Sequence, residues 1–382
     1  MKPVSIYIHW PFCLSLCPYC DFNSHIAGDV NDQQWIDAYK SEIDFFKHHI
    51  EKRYVKSVFF GGGTPSLMNP KIVEAIINYL SDLGTIDQST EITLEANPTS
   101  YEADKFRSFK SAGINRVSIG VQSFDDNNLQ FLGRKHSAKD ALYAITSAAQ
   151  IFDRYSYDLI YSLPNQTLSD WTSELKQGIN FSNDHISLYQ LTIEKGTPFY
   201  KLYSDKKFIL PSDEVAADMY EWTNQYLQSK DYQRYEISNY AKPGSECLHN
   251  LVYWNYQEYI GIGPGAHSRI HTQNNISSIM TLHSPQKWLS SVQKTGNGIQ
   301  KNIRLSDEDI TLEYVMMASR LASGFLESDL QKVTGKTLDQ VFNMSIIHDY
   351  QKLGLVDLSL GRFKLTSKGL VLHSYIISRI ML

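Results

Sequence analysis

Three of the four cysteines in this 382-residue chain fall within eight positions: Cys13, Cys17 and Cys20, in the spacing C-x3-C-x2-C. Thiolates this close together can grip one face of a small metal cluster. A structural zinc site takes four protein ligands, and a catalytic one takes three that include His and carboxylate. A [4Fe–4S] cluster takes one cysteine per iron. Asp21 and Phe22 follow Cys20, so no fourth thiol is supplied nearby. Read as a zinc knuckle the set is incomplete. Read as a cubane it leaves one iron with an open coordination position, where a small molecule can bind and react.

Other residues carry chemistry at the ends of apolar runs. Gly61-Gly62-Gly63-Thr64-Pro65 closes the run 55–60, and glycine lets a backbone approach a ligand closely. Glu95 and Gln122 stand late in the apolar runs 91–97 and 116–122, Asp158 lies on the run 157–163, and Arg134 sits in Leu132-Gly133-Arg134. A polar residue at such a place is costly to bury unless it is paired. Each is therefore either a ligand contact at a strand end or a structural hydrogen-bonding residue, and the pattern alone leaves both readings open.

The elements that must position these residues follow from periodicity. Ile6-Tyr7-Ile8 reads as a strand that delivers the cysteine loop to a sheet end, where ligands gather in α/β folds. An amphipathic helix is predicted from Asp32 to about Lys52, with Trp35, Ile36, Tyr39, Ile43 and Phe46 on one face. Strands then alternate with helices: strand 55–60, helix 70–83, strand 91–97, helix 101–112, strand 116–122, helix 137–151, strand 157–163, helix 168–180 and strand 185–193. Six such units predict an α/β fold, a partial (β/α)6 barrel with a parallel sheet. A doubly wound sheet is the competing topology.

Beyond residue 200 the rhythm breaks. A helix is predicted over 212–230, a strand over 235–240, a Gly- and aromatic-rich segment over 244–267, and a polar loop or linker over 271–302. Helices at 307–322, 326–334 and 338–351, with a hairpin over 354–366 turning at Leu360-Gly361, suggest a small winged-helix-like α+β domain. The organisation expected is a barrel over 1–200, an extension and linker over 201–302, and a C-terminal domain over 303–382. From residue 305 on, that last unit carries eight basic against nine acidic residues. It lacks the basic excess that DNA binding requires and reads as a lid or interaction domain.

Composition narrows the class. The net charge of −5 gives no reason to expect nucleic acid. Few cysteines, mostly clustered, argue against a disulfide framework and for a reducing compartment. No signal peptide and no apolar run long enough to span a bilayer is visible. Cytoplasm is the expected location, with a peripheral contact at the inner face of the membrane left open.

The cysteine spacing resembles that of the radical S-adenosylmethionine (SAM) enzymes. Tyr-x-His-Trp-Pro-Phe-Cys at 7–13, Gly-Gly-Gly-Thr-Pro at 61–65, Glu-Ala-Asn-Pro at 95–98, Gly-Val-Gln-Ser at 120–123, Leu-Gly-Arg at 132–134 and Asp-Leu-Ile-Tyr-x-Leu-Pro at 158–164 resemble the oxygen-independent coproporphyrinogen III oxidase superfamily. The resemblance covers essentially the whole chain. It implies Cys13, Cys17 and Cys20 as cluster ligands. It implies SAM contacts at Tyr7, Gly62, Gly63, Thr64, Glu95, Gln122, Arg134 and Asp158, with Arg134 neutralising the SAM carboxylate. Such proteins reduce SAM to methionine and a deoxyadenosyl radical.

Two departures from the oxidases point to the heme-chaperone branch of that superfamily: Phe22 stands where the oxidases carry a further cysteine, and the cluster strand begins within the first ten residues. His249-Asn250-x-x-Tyr253-Trp254 resembles that branch's heme-associated motif. Imidazole is a good iron ligand, and Tyr253 and Trp254 could wall a porphyrin. Cys247 and His267 are further candidate ligands. Against this, a lone His beside aromatics is often a hydrogen-bonded core residue, and a lone Cys a small buried hydrophobe.

The branch implies a protein that binds a [4Fe–4S] cluster, SAM and heme. Its partners would be heme as cargo, respiratory heme-accepting apoproteins at the membrane surface, and a reductant for the cluster, with the chain a monomer or homodimer. The alternative is a coproporphyrinogen III oxidase, so whether the chain is an enzyme is left open.

Overall fold

The computed structural model describes residues 3–272 and 275–382. Six parallel strands lie side by side in chain order: β1 (Val4–Trp10), β2 (Val55–Gly62), β3 (Glu91–Ala96), β4 (Arg116–Gln122), β5 (Arg154–Tyr161) and β6 (His185–Gln190). The main crossover helices are α1 (Asp32–Phe45), α2 (Pro70–Leu83), α3 (Ala138–Ile151) and α4 (Leu168–Ile179). The crossover between β3 and β4 is two short helices, Ser100–Ala103 and Phe106–Ser111, rather than the single helix its periodicity predicts. The sheet curves without closing, as a partial barrel with two free edges.

Period-two alternation sets its two faces. Ile6, Ile8, Val58, Phe60, Leu94, Val117 and Ile119 are buried in the main core with the helices. Ser5, Ser57, Arg116, Ser118 and Ser156 are on the opposite face and pair with one another between neighbouring strands. Ser57 donates to Ser5 at 2.9 Å, Arg116 donates to Ser156 at 2.7 Å, and the Ser118 and Ser156 hydroxyls are 3.0 Å apart.

Beyond β6 the sheet continues antiparallel with β8 (Asn239–Ala241) and then β7 (Gln233–Arg234). The strand predicted over 235–240 is this hairpin's turn and second arm. Glu236 accepts from the Ser238 amide at 2.8 Å and the Asn239 side chain at 2.6 Å, which closes the turn. On the other side β9 (Tyr259–Ile262) pairs parallel with β1, followed by the antiparallel β10 (His267–His271), β11 (Ile276–Thr281) and β12 (Ile299–Arg304). Residues 271–302 are therefore not a linker.

Their polarity reflects an edge of the sheet with one face solvated, and α7 (Pro285–Thr295) within them is anchored by a buried hub. Trp288 stacks on Trp35 and donates to the Glu42 carboxylate at 3.0 Å, while the Gly263 and Gly298 amides donate to the same carboxylate at 2.8 and 2.7 Å. Burial pushes Glu42 up to about 7. The remaining helices of this region are α5 (Asp213–Gln228) and α6 (Leu248–Trp254).

The C-terminal unit has its own core: α8 (Asp307–Ala318), α9 (Glu327–Thr334), α10 (Met344–Lys352) and α11 (His373–Ile380) around a three-stranded antiparallel sheet of β13 (Phe325–Leu326), β14 (Val356–Ser359) and β15 (Arg362–Leu365). The hairpin turns at Leu360-Gly361 as predicted. The helix predicted over 338–351 is broken, because Phe342 is extended and buried and the Asn343 side chain caps α10 by accepting the Ser345 and Ile346 amides. Arg269 forks onto Glu313 with two contacts of 2.8 Å, and Arg320 lies over the Trp254 ring at 4.6 Å. These contacts seat the unit under α6, at the end of the barrel away from the cysteines. It is not a lid over them. No helix among the described residues is long and apolar enough to cross a membrane.

Candidate functional site

β1 runs into the cysteine loop at the C-terminal rim of the sheet, where such folds place their sites. The loop is tied down on both sides. Phe12–Cys13 pairs with His25–Ile26, the Cys20 amide donates to the Cys17 carbonyl at 3.2 Å, and the Phe199 amide to the Pro18 carbonyl at 2.9 Å. Gly133 packs on Pro18 so closely that a Cβ would lie 2.6 Å from it, at a φ of +70°. Cys13, Cys17 and Cys20 all face one open cleft of about 1030 Å³, counting space open to solvent.

The sulfurs have polar neighbours. Thr64 donates to Cys13 Sγ at 3.4 Å, and Arg134 Nη1 to Cys17 Sγ at 3.5 Å. Burial pushes the Cys20 thiol up to about 11 and raises Cys13 as well. Among the described residues no three His, Cys, Asp or Glu side chains converge on a point that one ion would occupy. Zinc would draw its thiolates to about 2.3 Å from one centre, whereas a cubane hands each thiolate its own iron. The donor set fits a cluster with three separate thiolate corners.

The glycine run extends β2 along this loop. The Gly63 amide donates to the Trp10 carbonyl at 2.7 Å, Thr64 to Phe12 at 2.8 Å, and Gly62 to Glu95 Oε2 at 3.2 Å. Those amides are occupied, so this stretch offers a ligand its carbonyls, which suit an ammonium group. Gly62 is glycine for two reasons: its φ is +111°, and a Cβ would meet the His9 ring at 2.5 Å. His9 is pushed down to about 4 by burial and is neutral. Its Nε2–H donates to the Asn23 carbonyl at 2.9 Å, so Nδ1 accepts from Tyr7 at 3.0 Å.

Glu95, Gln122, Arg134 and Asp158 all line the cleft. Burial, and then the nearby Asp158, push Glu95 up to about 8; burial pushes Asp158 up to about 6. Gln122 sits in the left-handed region at φ +70°, a strained conformation for its type that turns it into the site. Arg134 Nη2 donates to Asn97 Oδ1 at 2.6 Å and to the Gly120 carbonyl at 2.9 Å, while its buried Nε has no partner.

Asn97 escaped the sequence reading as a site residue. It bridges Arg134 to Thr64, accepting from the first and donating to the second at 3.0 Å, and its amide donates to Glu102 at 3.1 Å. The Thr99-x-x-Glu102 capping pattern that follows it was the available signal.

The His249 segment lies elsewhere. α6 closes the barrel floor, at the N-terminal ends of β2 and β3. His249 is buried and stacked on Phe59 at 5.0 Å. Ser57 gives its hydroxyl proton to Ser5, so His249 Nδ1–H donates to Ser57 Oγ at 2.9 Å, and Nε2 accepts from Tyr253 at 3.0 Å. Both ring nitrogens are engaged, and burial holds the imidazole down at about 3. Cys247 is buried, donates to Glu91 at 3.4 Å, and is pushed up to about 12 by burial, so it stays a thiol. Trp254 lies under Arg320. The structure does not bring this segment to the cysteine cleft. His267, by contrast, is exposed at the head of β10.

Residues 7–176 match the Radical SAM superfamily, and residues 305–372 match the HemN C-terminal domain. The fold resembles coproporphyrinogen III oxidase (HemN) from Escherichia coli, with a TM-score of 0.82 and 23% identity over 99% of this chain and 89% of that one. The chain is 37% identical to the heme chaperone HemW of Haemophilus influenzae over 90% of this chain and 89% of that protein. To HemW of Escherichia coli it is 41% identical over 71% of each. It is 36% identical to the mitochondrial radical S-adenosyl methionine domain-containing protein 1 of Bos taurus, over 98% of this chain and 86% of that protein. The fold and the cysteine cleft are those of a radical SAM protein. Within that superfamily, the chain belongs to the family of HemW and the mitochondrial radical SAM domain-containing protein 1.

Proposed function

We propose that the chain is a heme carrier, as the HemW relatives are named, with a [4Fe–4S] cluster held by Cys13, Cys17 and Cys20 and SAM bound beside it. Bound there, the cluster supplies a low-potential electron and an open iron. The chain's own residues do the rest. Thr64 and Arg134 hold the sulfurs of Cys13 and Cys17. The carbonyls of Gly62 and Gly63, with Glu95 and Asp158, receive the cationic end of SAM. Arg134, whose side chain lines the cleft, neutralises the SAM carboxylate, Gln122 bounds the pocket, and Tyr7 stands behind it, donating to His9. Residues 1–200 provide this site, 201–302 extend and floor the barrel, and 303–382 brace the floor.

Three half-buried thiols with no fourth, facing one cleft that Arg134, Glu95 and Asp158 also line, are the observation that carries the cofactor reading. Heme would be passed to respiratory apoproteins from the cytoplasm, at the inner face of the membrane. The test is an anaerobic titration of the reconstituted chain with hemin, alongside an assay for decarboxylation of coproporphyrinogen III. One hemin per chain with no decarboxylation is expected. Absence of hemin uptake, or conversion to protoporphyrinogen, would overturn the proposal.

A further inference from the structure

Past the end of β6 the chain builds a short platform beside the cysteine loop. The helix Pro198–Ser204 is capped by Thr197, whose hydroxyl accepts the Tyr200 amide at 3.2 Å. The turn after it closes as the Lys206 and Lys207 amides donate to the Tyr203 and Leu202 carbonyls, at 2.9 Å each. Phe199 and Phe208 hold the platform down: both rings pack on Phe131, with centroids 4.8 and 5.2 Å away, and Phe199 is buried. The Phe199 amide also donates to the Pro18 carbonyl of the cysteine loop at 2.9 Å, which fixes the platform at the mouth of the barrel.

The outer surface of this segment is mixed, and nothing in the cofactor site uses it. Tyr200, Leu202 and Tyr203 are 39, 40 and 44% exposed, and Ile209 is 77% exposed. Lys195, Lys201, Lys206 and Lys207 are exposed along the same stretch. From 194 to 207 these four lysines stand against two carboxylates, Glu194 and Asp205, on a chain whose net charge is −5. Exposed charges more than about 10 Å away are largely screened at ordinary ionic strength, so the local excess decides what this face attracts.

The composition also selects the kind of partner. Protein interfaces are depleted in lysine and enriched in arginine, whereas residues 194–210 hold four lysines and no arginine. Tyrosine rings and aliphatic side chains beside lysines suit the headgroup level of a bilayer. There the apolar groups enter the acyl boundary and the ammonium groups meet anionic phosphates. We infer that this platform is the face by which the chain docks on an anionic membrane, with Leu202 and Ile209 entering the bilayer and Lys201, Lys206 and Lys207 meeting its headgroups. It rests on the reading above that heme is handed over at the membrane, and adds which face of the molecule sits there.

Sedimentation of the full chain with lipid vesicles tests this. The chain should bind vesicles of phosphatidylglycerol mixed with phosphatidylcholine about tenfold or more tightly than phosphatidylcholine alone, and high salt should release it. A variant carrying Lys201→Glu, Lys206→Glu and Lys207→Glu should bind the anionic vesicles about tenfold or more weakly. A control carrying Lys71→Glu, Lys287→Glu and Lys332→Glu, exposed lysines elsewhere in the chain, should stay within about twofold of the wild type. Leu202→Ser with Ile209→Ser should weaken binding about tenfold; should the pair alter the circular dichroism of the chain, Ile209→Ser alone carries the test. Indifference to both kinds of vesicle would overturn the inference and assign the face to a protein partner. Equal losses in the platform and control lysine variants would overturn it as well. Neither result touches hemin uptake, on which the carrier reading stands. A chain that takes up no hemin yet binds anionic vesicles through these residues would sink the carrier reading and leave the docking face.

Discussion

At the mouth of the barrel, Cys13, Cys17 and Cys20 stand partly exposed on a loop, facing an open cleft that Arg134 also lines. At the floor, Cys247 and His249 are buried, and each polar atom they carry is spoken for by Glu91, Ser57 or Tyr253. Both ends hold residue types that ligate metals. The difference lies in what their lone pairs and protons are already doing. A thiol in an open cleft can release its proton to water and take a metal without breaking a structural contact, whereas an imidazole stacked and hydrogen-bonded at both nitrogens must first break those contacts. The mouth keeps its sulfurs facing an open cleft, whereas the side-chain donors of the floor are held in hydrogen bonds.

The largest expected effect separates the two ends directly. Cys17→Ser should reduce the iron of the anaerobically reconstituted chain from about four per chain to near zero, while Cys247→Ser should leave iron and sulfide unchanged. Equal losses in both would erase the contrast. His249→Ala removes a ring packed on Phe59 and orphans the Ser57 and Tyr253 hydroxyls. Thermal or denaturant unfolding of the ligand-free chain should show a loss of about 2–4 kcal/mol. A variant as stable as the wild type would mean that the floor is not held together this way.

The smallest effect is one of pH. Burial and Asp158 keep Glu95 protonated up to about 8, and Asp158 titrates near 6. Both folded values lie above the unfolded ones, so the ligand-free chain loses stability as pH rises through this range. A cationic ligand wants the deprotonated pair, so SAM affinity should rise from pH 6 to 8.5, by at most about tenfold per unit for each proton released. Calorimetric titration in buffers of different ionisation enthalpy would read that proton, and Glu95→Gln should flatten the profile.

Much of this was legible in the sequence, and for reasons that show where it stopped. The parallel core could be read because its strands are short apolar runs separated by helices of regular period. Cleft residues such as Glu95 and Asp158 stood out as charged positions within those apolar runs. The edge strands at 267–304 were hidden because a half-solvated strand such as Ile276–Thr281 mixes polar and apolar residues much as a loop does, and because Trp288 finds its partner Glu42 far away in the chain. The burial of His249 was equally unreadable, since its partners Ser5 and Ser57 come from two distant strands. The Tyr253 spacing, one helical turn on, was the only local hint.

The proposed cofactor site requires an iron at the mouth that is free to take SAM. Electron paramagnetic resonance of the reduced, anaerobically reconstituted chain, recorded with and without SAM at pH 8, tests it most directly. A [4Fe–4S] signal whose g-values shift when SAM binds is expected. A signal indifferent to saturating SAM, or a chain that holds zinc in place of iron and sulfide, would contradict it.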